Sequence, residues 1–151
     1  MHVNAPPEKV YELVSDVSRM GQWSPETVRA RWIGGATGPA VGARFRGTNR
    51  RGLAVWVTTP KVVAAEPGRE FAFVVPMVLV GRELTKWTYR FEPAAGGGTT
   101  VTESFETVND IPRYITFMYR ALMRINSREA DLGAGMQRTL ERIKAAAEGS
   151  A

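Results

Sequence analysis

The chain contains no cysteine and a single histidine, His2. Without cysteine there is no disulfide, no thiolate nucleophile and no cysteine-held metal. With one histidine, close to the start, serine–histidine and cysteine–histidine catalysis are excluded, as are multi-histidine metal sites. Neither a metal nor a cofactor is expected. Long apolar runs are missing too. The longest fall far short of the roughly 20 residues that a membrane-spanning helix needs. Pro6, Pro7 and Glu8 stand where a signal peptide would carry its apolar stretch. The expectation is a cytoplasmic protein with no transmembrane segment.

Acidic residues are in the minority, 15 against 20 lysines and arginines, for a net charge of +5. A basic chain raises the question of nucleic acid or anionic lipid. The arginines are spread over nearly every segment, and the one local cluster, Asn49-Arg50-Arg51-Gly52, also reads as a turn. Solvated arginines and no specific nucleic-acid partner are expected. The 151 residues fit a single domain, 1–151. That length can bury an ordinary core or enclose a pocket and remain stable.

Helical and strand grammar alternate along the chain. Pro6 and Pro7 suit a first helical turn, and Val10, Leu13, Val14 and Val17 recur at helical spacing. A helix over 6–16 and a shorter one over 18–23 are predicted. From Val28 the period becomes two, with Val28, Ala30 and Trp32 alternating with Arg29 and Arg31. Further strands are predicted at 44–49, 53–65, 69–80, 84–92 and 99–108, six in all. Turns at Asn49–Gly52, Pro67-Gly68 and 93–98 separate several of them. Pro76 should bend or end the regular part of its strand. Asp110, an N-cap, and Pro112 open a helical pattern that runs to about Ala147. As one helix it would measure about 55 Å, too long for this domain. Asn126 with Glu129 resembles a fresh capping box, so a break is expected there. Hairpin-linked strands between grouped helices make the class α+β with an antiparallel sheet.

The segments APPEKVYELVSDVSRMGQWSPE, WIGGATGPAVGARFRGTNRRG, VVAAEPGREFAFVV and GMQRTLERIKAAAE resemble the SRPBCC superfamily. That superfamily includes START lipid-transfer domains, birch-pollen-allergen-like proteins and polyketide cyclase/dehydrase-like proteins. The resemblance covers essentially the whole chain. It implies a helix-grip fold, a curved antiparallel sheet around a long C-terminal helix with an apolar cavity between them. In one respect the chain departs from the pattern. Only Met1 to Asn4 precede the APPEKV stretch, so the first strand is expected to be short, or the chain to begin later than the native protein.

Strand parity then selects candidates for the inward face. Phe45 and Asn49 share one face, as do Phe71 and Phe73, Trp87 and Tyr89, and Val101 and Phe105. Trp32 and Trp56 join them if their strands keep the same sense. The helices would add Tyr114, Phe117, Met118, Met136 and Leu140, with the small Gly133 and Gly135 alongside. Most of these residues would serve equally well in a solid core. Trp23, in the loop GQWSPE, would either wedge the small helices onto the sheet or act as a lid over the cavity. Glu103 fits the solid core least well, because it shares the face of Val101 and Phe105. A carboxylate there is costly unless paired, wet or protonated. It could bind a ligand hydroxyl or amine, act as an acid or base, or lie salt-bridged at a cavity mouth. Asn49 could equally cap its turn.

Two function classes follow. One is a binder or carrier of a hydrophobic small molecule such as a lipid, isoprenoid or polyketide. The other is a polyketide cyclase or dehydratase using Glu103 as acid or base, aided by Tyr89, Asn49 or Tyr119. A regulatory or interaction module is a third. The expected partner is the small-molecule ligand, with a homodimer left open.

Overall fold

The structure, a computed structural model, describes residues 1–77, 81–110, 112–123 and 128–149, with side chains throughout except at 119–120, 122–123 and 128–130. A two-residue strand β1 (His2–Val3) leads into helix α1 (Pro7–Ser15) and a 3-10 helix (Val17–Gln22). Proline opens α1, where a missing N–H costs nothing. Asp16 opens the 3-10 helix, its carboxylate accepting from the Ser18 backbone N–H at 3.1 Å. The strands β2 (Thr27–Ile33), β3 (Arg44–Arg51), β4 (Ala54–Thr58), β5 (Lys61–Glu66), β6 (Glu70–Met77), β7 (Arg82–Pro93) and β8 (Thr99–Thr107) follow. Helices α2 (Arg113–Met123) and α3 (Arg128–Gly149) complete the chain. The end of the predicted strand at 78–80 and the helix break near Asn126 lie outside the described residues.

All eight strands form one curved antiparallel sheet in the order β1-β8-β7-β6-β5-β3-β2, with β4 paired to β3. This is the helix-grip architecture. The short first strand that the resemblance leads one to expect is β1, which pairs with β8 at the sheet edge. The sequence pattern misses one detail. The return after Gly52 is two strands, because the pairing of Gly47 with Thr58 and of Arg44 with Lys61 leaves Thr59-Pro60 outside the ladder. Proline has no N–H for that ladder. Pro76 marks a register shift between β6 and β7, as its sequence position suggests.

The core lies between the concave face of the sheet and α1 with α3. Val10, Tyr11 and Val14 of α1 meet Phe71, Phe91 and Val101 of the sheet and Ile143 and Ala147 of α3. Tyr11 stands edge-on to Phe91, ring centroids 5.8 Å apart, and to Phe71 at 6.5 Å. Trp23 is 1% exposed and belongs to the same cluster. Its loop also abuts α3, where a Cβ on Gly135 would sit 3.5 Å from Pro25.

Gly21 explains how tightly the 3-10 helix lies on β2. A Cβ there would fall 2.6 Å from the backbone oxygen of Val28. That oxygen belongs to a strand and cannot step aside as a flexible side chain would. Gly21→Ala is therefore expected to destabilise the fold by about 1–3 kcal/mol, the usual range for overpacking. A denaturant midpoint equal to that of the parent protein would contradict it.

The opposite face carries the charge. Arg90 pairs with Glu70 at 3.2 Å and Lys86 with Glu106 at 3.3 Å. On β2 and β3 the register gathers arginines that the sequence disperses. Arg31 stands opposite Arg46, with Arg29 and Arg44 on either side, all four exposed. The alternation that suggested scattered charges instead aligns them on one face.

Candidate functional site

Exposure along the concave face of β6, β7 and β8 changes in one direction. On β8, Val101 is fully buried and Glu103 buried, Phe105 is half-buried and Thr107 exposed. On β7, Phe91 and Tyr89 are buried, while Trp87 and Thr85 are half-buried. On β6, Phe71 and Phe73 are buried, while Val75 is half-buried. Helix α3 repeats the trend, with Ala147 and Ile143 buried and Leu140, Met136 and Leu132 half-buried. The interior is thus packed at the α1 end. At the other end the inward side chains of β6, β7, β8 and α3 are half-buried or exposed, whereas on β2 and β3 Ala30, Gly47 and Asn49 stay buried.

Glu103 and Tyr89 lie where the buried part of β7 and β8 gives way to the half-buried part. They are directly opposite each other on β8 and β7. Cross-strand neighbours on one face are close enough to touch, and the Tyr89 hydroxyl donates to Glu103 Oε1 at 2.8 Å. Glu103 Oε2 is buried with no hydrogen-bond partner among the described residues. No lysine or arginine among them pairs with this carboxyl either. Burial, only partly offset by the Tyr89 hydrogen bond, pushes the Glu103 carboxyl up to about 7. The same burial, with the neighbouring carboxylate, pushes the Tyr89 hydroxyl well above its ordinary value. At neutral pH Glu103 can accept a hydrogen bond as the carboxylate or donate one as the acid.

One step further toward the half-buried end, Trp87 and Phe105 form the next cross-strand pair, ring centroids 4.9 Å apart. They make an aromatic wall above the carboxyl. Met136 and Leu140 are half-buried on α3, and Leu140 packs against the core cluster. Trp56 is half-buried on β4, opposite Asn49 of β3. Trp32 and Phe45 stack edge-on at 5.8 Å, and Phe45 meets Phe73 at 5.2 Å, on the packed side.

Asn49 is buried but fully engaged. It accepts from the Thr27 hydroxyl at 2.8 Å and donates to the Thr58 hydroxyl at 3.1 Å, tying β2, β3 and β4 together. With its polar atoms used within the sheet, it acts as a clamp between strands. Tyr114, Phe117 and Met118 depart from the expected lining. They are 72%, 77% and 51% exposed, and Ile115 is the α2 side chain that is buried. The stripe is there, but it meets solvent. The side chain of Tyr119 lies outside those described. A shallow depression of about 480 Å3 along 34–43, in the loop between β2 and β3, carries no ionisable group.

The described residues hold no cluster of histidine, aspartate and glutamate able to bind a metal. None of their helices is long and apolar enough to cross a membrane. Curved sheet and gripped helix define a protein of the SRPBCC superfamily. Within it, the chain belongs to the polyketide cyclase/dehydrase and lipid transport family, whose model matches residues 1–148. A Polyketide_cyc-like protein from Corynebacterium glutamicum is 34% identical, with a TM-score of 0.62 over 95% of this chain and 85% of that one. The di-domain ARO/CYC StfQ from the steffimycin biosynthetic pathway aligns at a TM-score of 0.69 and 16% identity, over 99% of this chain and 49% of its own. A major latex-like protein from Panax ginseng has the same fold at 11% identity and a TM-score of 0.65, over 97% of this chain and 93% of its own. Among curated proteins, none matches.

Proposed function

We propose that the protein binds and carries a hydrophobic small molecule, a lipid, isoprenoid or polyketide, in a cleft between sheet and α3. The observation that carries this reading is the buried, unpartnered Glu103 Oε2 beneath the half-buried Trp87 and Phe105. A buried polar atom without a partner is costly, and a ligand hydroxyl or amine donating to it would remove that cost. The apolar remainder of the ligand would lie along the aromatic wall and Met136. Lipid transport is part of the family's description, which supports the reading.

A second reading, a cyclase or dehydratase acting on a polyketide-like substrate, is favoured by the carboxyl held near 7 beside a tyrosine hydroxyl. A group titrating near the working pH is suited to proton transfer. Glu103 would take the proton from an acidic carbon, and Tyr89 would orient the substrate oxygen. Cyclase and dehydrase activity is also in the family's description.

Native mass spectrometry of the gently purified protein, followed by Glu103→Gln, tests both. A bound apolar compound whose affinity changes by about 1–3 kcal/mol in the variant supports the carrier. Lost turnover with nearly unchanged affinity supports the enzyme. A protein that arrives empty and takes up no member of a panel of lipids, isoprenoids and polyketides overturns both.

A further inference from the structure

The sheet face opposite the core divides into two regions of charge. On β6 to β8 the basic residues have acidic partners, Arg90 with Glu70 and Lys86 with Glu106. Lys61 of β5, opposite Arg44 in the register, pairs with Glu83 at 2.7 Å. On β2 and β3 the pattern stops. Arg29, Arg31, Arg44 and Arg46 are exposed, and none of the four has an ion pair among the described residues. The sequence shows why. Residues 27–65 hold six arginines and one lysine but no aspartate or glutamate.

The register concentrates this charge. Arg31 lies directly opposite Arg46, a like-charge cross-strand pair that costs stability. Arg29 and Arg44 follow on the same face, each roughly 7 Å along its strand. An alignment that works against the fold is the kind of local conflict expected at a functional surface. The neighbours of these arginines indicate what would cover them. Thr48 stands opposite Arg29, and Val57 and Val55 continue the face on β4, 40% and 63% exposed. Trp32, Phe45 and Trp56 have the opposite parity, so no aromatic shares the face. Single-stranded nucleic acid would find no stacking platform there. A bilayer needs large apolar side chains that reach past the cations, and valine is shorter than arginine. Carboxylates on a protein surface suit both features. A guanidinium can give a carboxylate two parallel N–H bonds, and the valines can pack against the partner's own apolar side chains.

We propose that the face of β2 and β3 opposite the core is a docking surface for an acidic protein, whose carboxylates meet Arg29, Arg31, Arg44 and Arg46. It lies on the other side of the sheet from Glu103, so it stands independently of the ligand proposed above.

The test titrates poly-L-glutamate into the isotope-labelled full chain at low ionic strength, with oligo-dT and phosphatidylglycerol vesicles as the alternative probes. Amide shifts are expected to concentrate on β2 and β3 and to fade as salt rises. The double variant Arg31→Gln, Arg46→Gln should weaken binding about tenfold, the order expected for two solvent-exposed ion pairs. Arg69→Gln with Arg138→Gln removes the same charge from exposed positions elsewhere and should leave the affinity nearly unchanged. The first variant removes a like-charge pair, so it should melt no lower than the parent, and its weaker binding is not a loss of fold. No binding of poly-L-glutamate, shifts spread evenly over the surface, or equal weakening by both double variants would each overturn the proposal. So would oligo-dT or vesicles that bind these arginines in preference to poly-L-glutamate.

Discussion

Trp23→Ala is expected to destabilise the protein by about 3–5 kcal/mol, the cost of truncating a large aromatic in a packed core. The residue follows the 3-10 helix on a loop, yet it is 1% exposed and joins the core cluster with Val17, Met20, Ala30 and Phe45. Its backbone N–H donates to Met20 O at 3.3 Å, and the Ser24 hydroxyl accepts from the Thr27 N–H at 2.9 Å. The ring is therefore held from both sides of the turn and cannot swing to fill a void. The Arg19 guanidinium lies 5.8 Å from the ring centroid, over its outer side. Removing the ring opens a cavity where the 3-10 helix meets β2, so the melting temperature should drop by roughly 10 °C. Trp23→Phe should retain most of the stability. A residue acting only as a lid would instead leave the midpoint unchanged and alter the rate of ligand exchange. Chemical denaturation of the two variants, read beside ligand off-rates, separates wedge from lid.

The wedge was half legible in the sequence. A tryptophan beside proline in a loop must be buried somewhere, but its partners come from strands that periodicity does not order. Strand parity carried further. It placed Phe45, Asn49, Phe73, Trp87, Tyr89, Glu103 and Phe105 on inward faces, because side chains alternate regardless of tertiary context. It could not show that Asn49 would be used up between Thr27 and Thr58, since that depends on which strands become neighbours. Nor could it show that the arginines of β2 and β3 would align, since that depends on the register. The break at Thr59-Pro60 was hidden by apolar residues on both sides of it. Helix α2 shows the limit most clearly. Tyr114, Phe117 and Met118 form an apolar stripe, and a stripe states that a helix seeks an apolar partner. It does not state that the partner belongs to the same chain.

Glu103 also gives the molecule a pH-dependent stability that is separable from ligand binding. Its carboxyl is moved from 4.5 to about 7, chiefly by burial. The folded chain therefore keeps a proton that the unfolded chain releases between these values. The resulting stability is fully present below about pH 4.5, falls as the pH rises through the interval, and levels off above about 7. Each tenfold gain in proton affinity on folding is worth about 1.4 kcal/mol, so the total loss is on the order of 3 kcal/mol. Other acids titrate in the same range, so the parent's curve alone is not diagnostic. Its difference from the Glu103→Gln variant is, because glutamine keeps the shape and an oxygen to accept from Tyr89 while removing the titration. The variant should lose ground relative to the parent at acidic pH and gain it back as the pH rises to 8. Ligand would change the comparison in a readable way. A bound amine would stabilise the carboxylate and flatten the parent's decline, whereas a bound carbonyl would favour the protonated acid and steepen it. Urea midpoints of both proteins between pH 4 and 8, without ligand, provide the measurement. Parallel curves across the whole range would mean that Glu103 ionises as freely in the folded protein as in the unfolded chain. That result would remove the energetic reason for placing a ligand's polar group against its carboxyl.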